Sequence, residues 1–421
     1  MKKNLILLFC LIPFALYSQT WNTVFVDPIL QNLIQEGLQA NSDIRTAELS
    51  VKQAETLLNS ANLSYLPNFM IAPSATFSKV QGQQHSLSYE LPMKMDWELS
   101  LGGKQRFQKL SAKMQVHQNQ QLLKYMQIVL VADIANAYYT LVTLEKQLEI
   151  SQQALEIQKE NVSVFRALKE VGKQNEIAVN QAQADCQGVE ASLPSLELQI
   201  QQTKTALCML LNRPSGDVEH SRWDNIQSIR LENIDTIPLE KLSERADVAA
   251  AQYGLQLALN AKKAAKSDFY PTLSISGSVG WTNNIGEIID PAKILLNAIG
   301  SLTQPLFQQR RLKSNLQVAQ YQYEQAQIAF EKALLVAGGE IQDALFARDA
   351  CLRRETARKQ QVESYKKAYE TSIELMRYSN TSYLEILTAQ KALLESQLLQ
   401  TAEELEKQQS MINIYKALGN F

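Results

Sequence analysis

From Leu87 to Leu101 every second residue is apolar: Leu87, Tyr89, Leu91, Met93, Met95, Trp97, Leu99 and Leu101. Ser88, Glu90, Pro92, Lys94, Asp96, Glu98 and Ser100 lie between them. A period of two predicts a strand with one apolar and one wet face. Directly afterwards the stretch 104–171 contains neither Gly nor Pro and places Ile134, Leu141, Leu148, Leu155 and Val162 seven residues apart. That spacing predicts a helix with a packing seam. At 1.5 Å per residue it would be roughly 100 Å long, where an ordinary helix has about 11 residues.

The same two periods recur. Pro28–Leu63 reads as one helix, with Asp27 as N-cap and Pro28 at the first position. Phe69, Ile71, Ala75 and Phe77 alternate with polar neighbours over 68–79, and a polar turn at 81–85 leads into the Leu87–Leu101 strand. Gly172 ends the long helix, and a return helix over 175–212 carries Leu193, Ile200 and Leu207, with Pro194 expected to kink it. Ser42-Asp43-Ile44 then matches Ala246-Asp247-Val248, and Tyr65-Leu66-Pro67 matches Phe269-Tyr270-Pro271, in both cases 204 positions later. Ala182-Gln183 and Leu211 match Ala389-Gln390 and Leu418 at 207. The chain is a duplication. One repeat occupies 19–214, with strands at about 68–101. A polar linker follows at 215–238, and the second repeat occupies 239–421, with strands at about 272–306, a long helix at 310–376 and a return helix at 383–418. Gly338-Gly339 is expected to interrupt the second long helix.

Composition narrows the function classes. Lys and Arg number 41 against 43 Asp and Glu, a formal charge of −2, so this is no basic nucleic-acid binder. Residues 1–18 read as a secretory signal peptide: Lys2 and Lys3, an apolar run from Leu5 to Leu16, and Ser18 before the expected cut. Cys10 sits inside that run, not after it as a lipid-accepting cysteine would. No other stretch offers 18 consecutive apolar residues, so crossing a membrane requires strands in a closed barrel. Cys186, Cys208 and Cys351 are widely spaced within helical patterns and read as small buried apolar residues, although oxidation of one pair by proximity stays open. His85, His117 and His220 are isolated, and no HExxH, CxxC, GxSxG or phosphate-loop pattern occurs. No catalytic residue, metal site or cofactor is expected.

Four strands cannot close a barrel, since membrane barrels begin at eight. Their edges must be covered by other copies of the chain. Three copies supply twelve strands above a tube of paired helices, and such an object conducts.

The residues also match a known family. Ala135-Asn136-Ala137-Tyr138, Leu211-Asn212-Arg213-Pro214, Glu244-Arg245-Ala246-Asp247-Val248, Gln304-Pro305-Leu306-Phe307, Leu384-Glu385-Ile386-Leu387-Thr388-Ala389-Gln390 and Ala417-Leu418-Gly419 stand in an order and spacing that resembles the outer membrane efflux proteins, the TolC-like outer membrane factors. The nearer resemblance is to those serving multidrug transporters of the resistance-nodulation-division (RND) class. It implies a mainly α fold with a β-barrel part. A homotrimer would share a twelve-stranded outer-membrane barrel, set in outer-membrane lipid, with a coiled-coil helical tunnel in the periplasm of a Gram-negative bacterium. Its partners would be a periplasmic adaptor protein and an inner-membrane RND transporter. Two departures stand out: Ala246 replaces a Pro common in relatives, and the expected mature N-terminus lacks the cysteine of lipoprotein relatives.

The resemblance also implies sites. Acidic residues after the second helix turn ring the closed entrance in the family. Glu385 holds the matching position, and Thr388 stands where the next acid is expected. A ring of Glu385 carboxylates on a threefold axis would favour cations; the alternative is a solvated surface glutamate. Arg377 and Tyr378 are candidates for tying neighbouring helices shut, and Lys169, Lys173, Asn175 and Glu176 for meeting the adaptor, with ordinary surface contacts as the alternative. Tyr89, Trp97, Leu99 and Trp281 are candidate membrane-facing strand residues, the tryptophans in an aromatic belt or buried between subunits. The expected function is a passive exit duct for drugs or other small molecules, hydrolysing nothing. The alternatives are heavy-metal efflux or type I protein secretion on the same fold, or a periplasmic coiled-coil scaffold.

Overall fold

The computed structural model describes residues 21–78, 86–225, 229, 239–284, 294–305, 310–377 and 383–419. The signal-peptide reading of 1–18 lies outside the described residues, as does the turn at 81–85. In chain order the elements are α1 (Trp21–Val24), α2 (Pro28–Ala40), α3 (Ser42–Leu63), β1 (Asn68–Ile71), β2 (Ser74–Ser78), β3 (Ser86–Ser100), α4 (Lys104–Glu170) and α5 (Glu176–Leu210). They continue with α6 (Ala246–Ser267), β4 (Thr272–Asn284), β5 (Ile294–Thr303), α7 (Arg311–Arg377) and α8 (Tyr383–Leu418). Short 3₁₀ turns at Trp223–Asn225 and Leu239–Glu244 lie in the connection between repeats. The described residues are mainly helical, with one antiparallel sheet among them.

Two compact units result. One comprises Met1–Ser42, Met126–Arg245 and Ala337–Phe421; the other comprises Asp43–Tyr125 and Ala246–Val336.

The second unit holds the sheet, in the order β1–β3–β4–β5, with β2 also on β3. Asn68 opposes Asp96 and Ser74 opposes Glu90, so β1 and β2 keep one register along β3. The expected single strand over 68–79 is interrupted at Ala72-Pro73 because Pro73 has no N–H for the ladder. The sheet is therefore four strands wide, with β1/β2 at one edge and β5 at the other. Gly280 on β4 lies opposite Pro92 and so close to the Leu91 carbonyl and the Pro92 backbone that no side chain fits there.

The first unit is a helical core. Asp27 caps α2, its Oδ1 accepting from the backbone N–H of Ile29 at 2.9 Å and of Leu30 at 3.5 Å. Gly37 lets α2 approach α4 closely, since a Cβ there would strike Ile134. The helix expected to run unbroken from Pro28 to Leu63 stops at Asn41, whose ψ is 131°. Two side-chain amides hold the break: Asn41 Nδ2 donates to the Leu210 carbonyl at 2.9 Å, and Asn212 Nδ2 to the Ala40 carbonyl at 3.1 Å. One window of α4 is apolar enough by length and composition to cross a membrane, but 67% of it is buried inside the protein, as expected of a core helix. Gly338 and Gly339 do not interrupt α7. A Cβ on either would meet nothing within 4 Å, and the helix runs through both. Pro194 likewise sits inside an unbroken α5.

Candidate functional site

Directly opposed residues of antiparallel strands share a face, so the register sorts the sheet into two surfaces. One carries Met93, Trp97 and Leu99 of β3 against Val279, Ile275 and Leu273 of β4, and these against Leu296, Gly300 and Leu302 of β5. The other sets Lys94, Asp96 and Glu98 against Ser278, Ser276 and Ser274. Ile299 on β5 opposes Ser276 and Met70 on β1 opposes Lys94, two apolar residues on that wet face.

On the apolar face Leu99 is half-buried, and Trp97 is half-buried with its Nε1 donating to the Tyr65 carbonyl at 3.0 Å. Phe69 joins Trp97 near the end of the sheet from which α4 departs. Tyr89, half-buried, and Trp281, exposed, lie toward the other end, where Trp281 opposes Leu91 and Ile294.

At the far ends of the long helices, the first unit closes with an apolar cluster of Val162, Phe165, Val179, Ala182 and Leu387. Phe165 of α4 meets Tyr383 of α8 edge to face, with ring centroids 5.8 Å apart. Gly172 ends α4 at φ 74°, and the Lys173 N–H returns to the Leu168 carbonyl at 2.9 Å. Asn175 caps α5 by accepting from the Ala178 N–H at 3.0 Å. Lys169 pairs with Glu176 across the turn. Asn175, Lys169 and Glu176 thus hold this turn, and Lys173 stands exposed beside them.

Glu385 lies in the first turn of α8 and borders a groove with Lys367, Ser372 and Leu375. Ile386 and Leu387 are buried, which fixes the rotation of α8 and leaves Glu385 and Thr388 on its outer side. Tyr378 and the side chain of Arg377 lie outside the described residues.

Residues within the quoted motifs prove to be internal anchors that periodicity did not single out. The Tyr138 hydroxyl donates to Asp27 Oδ2 at 2.7 Å and accepts from the Ser221 N–H at 2.9 Å, tying the connecting segment to α4 and to the cap of α2. Burial pushes the Tyr138 phenol far above its ordinary range, so it keeps its proton. Arg245, buried, donates to the Ala417 carbonyl at 2.9 Å and to Glu340 Oε2 at 2.7 Å, tying the end of the connecting segment to α7 and α8 within the first unit. Along α7 and α8, Arg358 pairs with Glu403 at 2.8 Å, Arg354 with Glu406 at 2.6 Å and Lys407 with Glu355 at 3.1 Å. Cys208 and Cys351 are buried, Cys186 is half-buried, and all three are free thiols.

Comparison with known proteins is consistent throughout. The family model described as outer membrane efflux protein matches residues 33–213 and 238–420. The probable outer membrane lipoprotein SilC of Salmonella typhimurium is 23% identical over 411 residues, covering 96% of this chain and 88% of the relative. The pyoverdine export outer membrane protein OpmQ of Pseudomonas putida is 24% identical over 425 residues, covering 96% and 88%. A crystal structure of CusC superposes with a TM-score of 0.88 at 22% identity, covering 96% of each chain.

Proposed function

Because the chain belongs to the outer membrane efflux protein family, we propose that three copies complete one twelve-stranded barrel and serve as the passive exit duct of a tripartite pump. A periplasmic adaptor would join the duct to an inner-membrane RND transporter, and the transporter would supply the energy. The observation that carries this is the sheet: four strands wide, with both edges unpaired among the described residues, apolar on one face and wet on the other. The apolar face meets lipid, with Trp97 and Phe69 at one rim and Tyr89 and Trp281 toward the other. The wet face of β3 carries Glu90, Asp96 and Glu98 against Lys94, an acidic excess that favours cationic or neutral cargo. Nothing in the duct needs to react with that cargo.

Glu385 and Thr388 line the tip entrance in this reading, Arg377 and Tyr378 help close it, and Lys173 with the Lys169–Glu176 pair faces the adaptor. Opening is a shift between two arrangements of the helix tips, biased by docking. Purified protein in planar bilayers should give stepwise conductance, and Glu385→Ala should change its size or cation selectivity. Wild-type protein that is water-soluble, monomeric and silent in bilayers would end the duct reading; an unchanged Glu385→Ala channel would remove that residue from the gate.

A further inference from the structure

Charge is unevenly shared where the helices meet the end of the sheet. Over 104–125 of α4, 248–267 of α6 and 311–323 of α7, Lys and Arg stand without a single Asp or Glu. All three stretches belong to the unit that holds the sheet. Asp268, just after α6, is taken by Lys104 at 2.7 Å. Among the described residues no carboxylate pairs with Arg106, Lys109, Lys113, Lys263 or Lys266. The stripe begins at the sheet: Arg106 lies in the first turn of α4, Lys263 and Lys266 in the last two turns of α6, and Lys313 in the first turn of α7. At 1.5 Å per residue it extends from Arg106 to Lys113 over about 10 Å of α4.

These cations share one side of the helices. On α4, Lys104 and Gln108 border a hollow with Asp96, Glu98 and Ser276 of the wet sheet face. Arg106, Lys109 and Lys113 are exposed and form one stripe, turned about 150° around the helix from Lys104 and Gln108. They therefore lie on the side of the apolar sheet face. His117, one turn beyond Lys113, stacks on Tyr253 of α6 with ring centroids 5.2 Å apart. On that side of α6, Lys263 and Lys266 are exposed, and Lys263 Nζ lies 6.0 Å from the Phe107 ring centre. Arg310, at φ 63°, repeats the left-handed turn of Gly103, at φ 76° and 207 positions earlier. Exposed Lys313 of α7 thereby takes the place that Arg106 holds on α4. The wet face, by contrast, is acidic at Glu90, Asp96 and Glu98, so the two sides differ in the sign of their charge and the stripe is no part of a cargo path.

We propose that this stripe binds anionic phospholipid headgroups, of the phosphatidylglycerol type, on the leaflet nearest the helices. This rests on the reading that the apolar sheet face meets lipid. Where that face ends a bilayer presents a headgroup layer of about 5–8 Å, and the stripe begins at the same level. Long cationic side chains lay their stems along apolar surface and hold their charge at the depth of the phosphates. Clustered Lys and Arg beside a membrane-crossing segment attract anionic lipid across about one Debye length. No acid on this side repels it.

The test is electron paramagnetic resonance of the full-length protein in phosphatidylcholine vesicles, with a nitroxide-labelled lipid reporting the motionally restricted shell around the protein. Labelled phosphatidylglycerol should enter that shell about threefold more readily than labelled phosphatidylcholine at low salt, and the preference should fade at about 0.5 M NaCl. Lys109→Gln/Lys113→Gln/Lys263→Gln/Lys266→Gln should hold as much restricted phosphatidylcholine as the unmodified protein and lose the preference. The charge-matched control Lys159→Gln/Lys366→Gln/Lys367→Gln/Lys391→Gln, with its exposed lysines on the other unit, should keep it. Equal association of both labels with the unmodified protein assigns the stripe to water or to another macromolecule and overturns the proposal, as does a preference that survives in the stripe variant or vanishes in the control; each of these leaves the duct reading standing. Absence of any restricted lipid around the unmodified protein overturns both.

Discussion

Replacing Tyr138 by Phe removes one oxygen from the interior and leaves the ring in place. That oxygen is the donor to Asp27 Oδ2 and the acceptor for the Ser221 N–H, and both Asp27 and Tyr138 are fully buried. A hydrogen bond to a buried charge contributes about 1.5–3 kcal/mol. Ser221 is only half-buried, so water can take over part of its bond, and the net loss should be about 2–3 kcal/mol. For a unit of this size each kcal/mol lowers the melting midpoint by about 2–4 °C, giving a decrease on the order of 5–10 °C. The assay is thermal unfolding in detergent at one fixed scan rate, because large assemblies unfold irreversibly. Asp27→Asn should keep most of the capping of α2 and lose the same charge-assisted bond, so the double variant should be little worse than Tyr138→Phe alone. A Tyr138→Phe midpoint within a degree of the unmodified protein would refute the network as a source of stability.

Other consequences are simpler to check. Hydrogen bonds from Lys359 and Lys407 hold the Glu355 carboxyl below its usual range, and the Arg358 guanidinium does the same for Glu403. A depressed carboxylate contributes stability above its ordinary pKa and loses it as pH falls through the lower folded value. The melting midpoint should therefore drop below about pH 4, and Glu403→Gln should flatten that acid limb. If the apolar sheet face meets lipid as proposed, Leu296→Arg should cost about 2–4 kcal/mol and prevent trimer formation in detergent, whereas Ser278→Arg on the wet face should assemble and alter conductance. Arg310→Gly relieves a left-handed residue and should raise stability by up to about 1 kcal/mol, while Gly103→Ala should lower it by about 1–2 kcal/mol; equal midpoints for both variants would contradict this.

Much of this fold can be read from residue order because its elements are long and strongly periodic. The alternation through Leu87–Leu101 marks β3, and the heptads of Ile134 to Val162 mark α4, since both signals are local. What stayed hidden depends on distant partners. Asn41 ends α2 because its amide finds Leu210, and no local pattern points there. Gly338-Gly339 resembles a break, yet helical hydrogen bonding on both sides carries α7 through it at a cost of about 1 kcal/mol per glycine. The same holds at the tip. Asn175 and Glu176 look like free surface chemistry until the turn uses them, and the outward placement of Glu385 follows from the burial of Ile386 and from Leu387 entering a cluster that α4 and α5 help build. Arg245 and Tyr138 were visible as motif residues, but their work as tethers could be seen only once Ala417, Glu340, Asp27 and Ser221 had converged on them.

The middle pairing of the sheet sets Ser100 beside Thr272, so β3, already flanked by β1 and β2, must wait for well over a hundred further residues before the partner for its other edge exists. Through that interval β3 has only β1 and β2 beside it, and the edge that β4 will cover stays open. Such distant pairing is slow to form and prone to aggregation. The pairing of β3 with β4 is therefore the step expected to limit the rate at which the sheet forms, and variants that weaken it should lower the yield of folded protein.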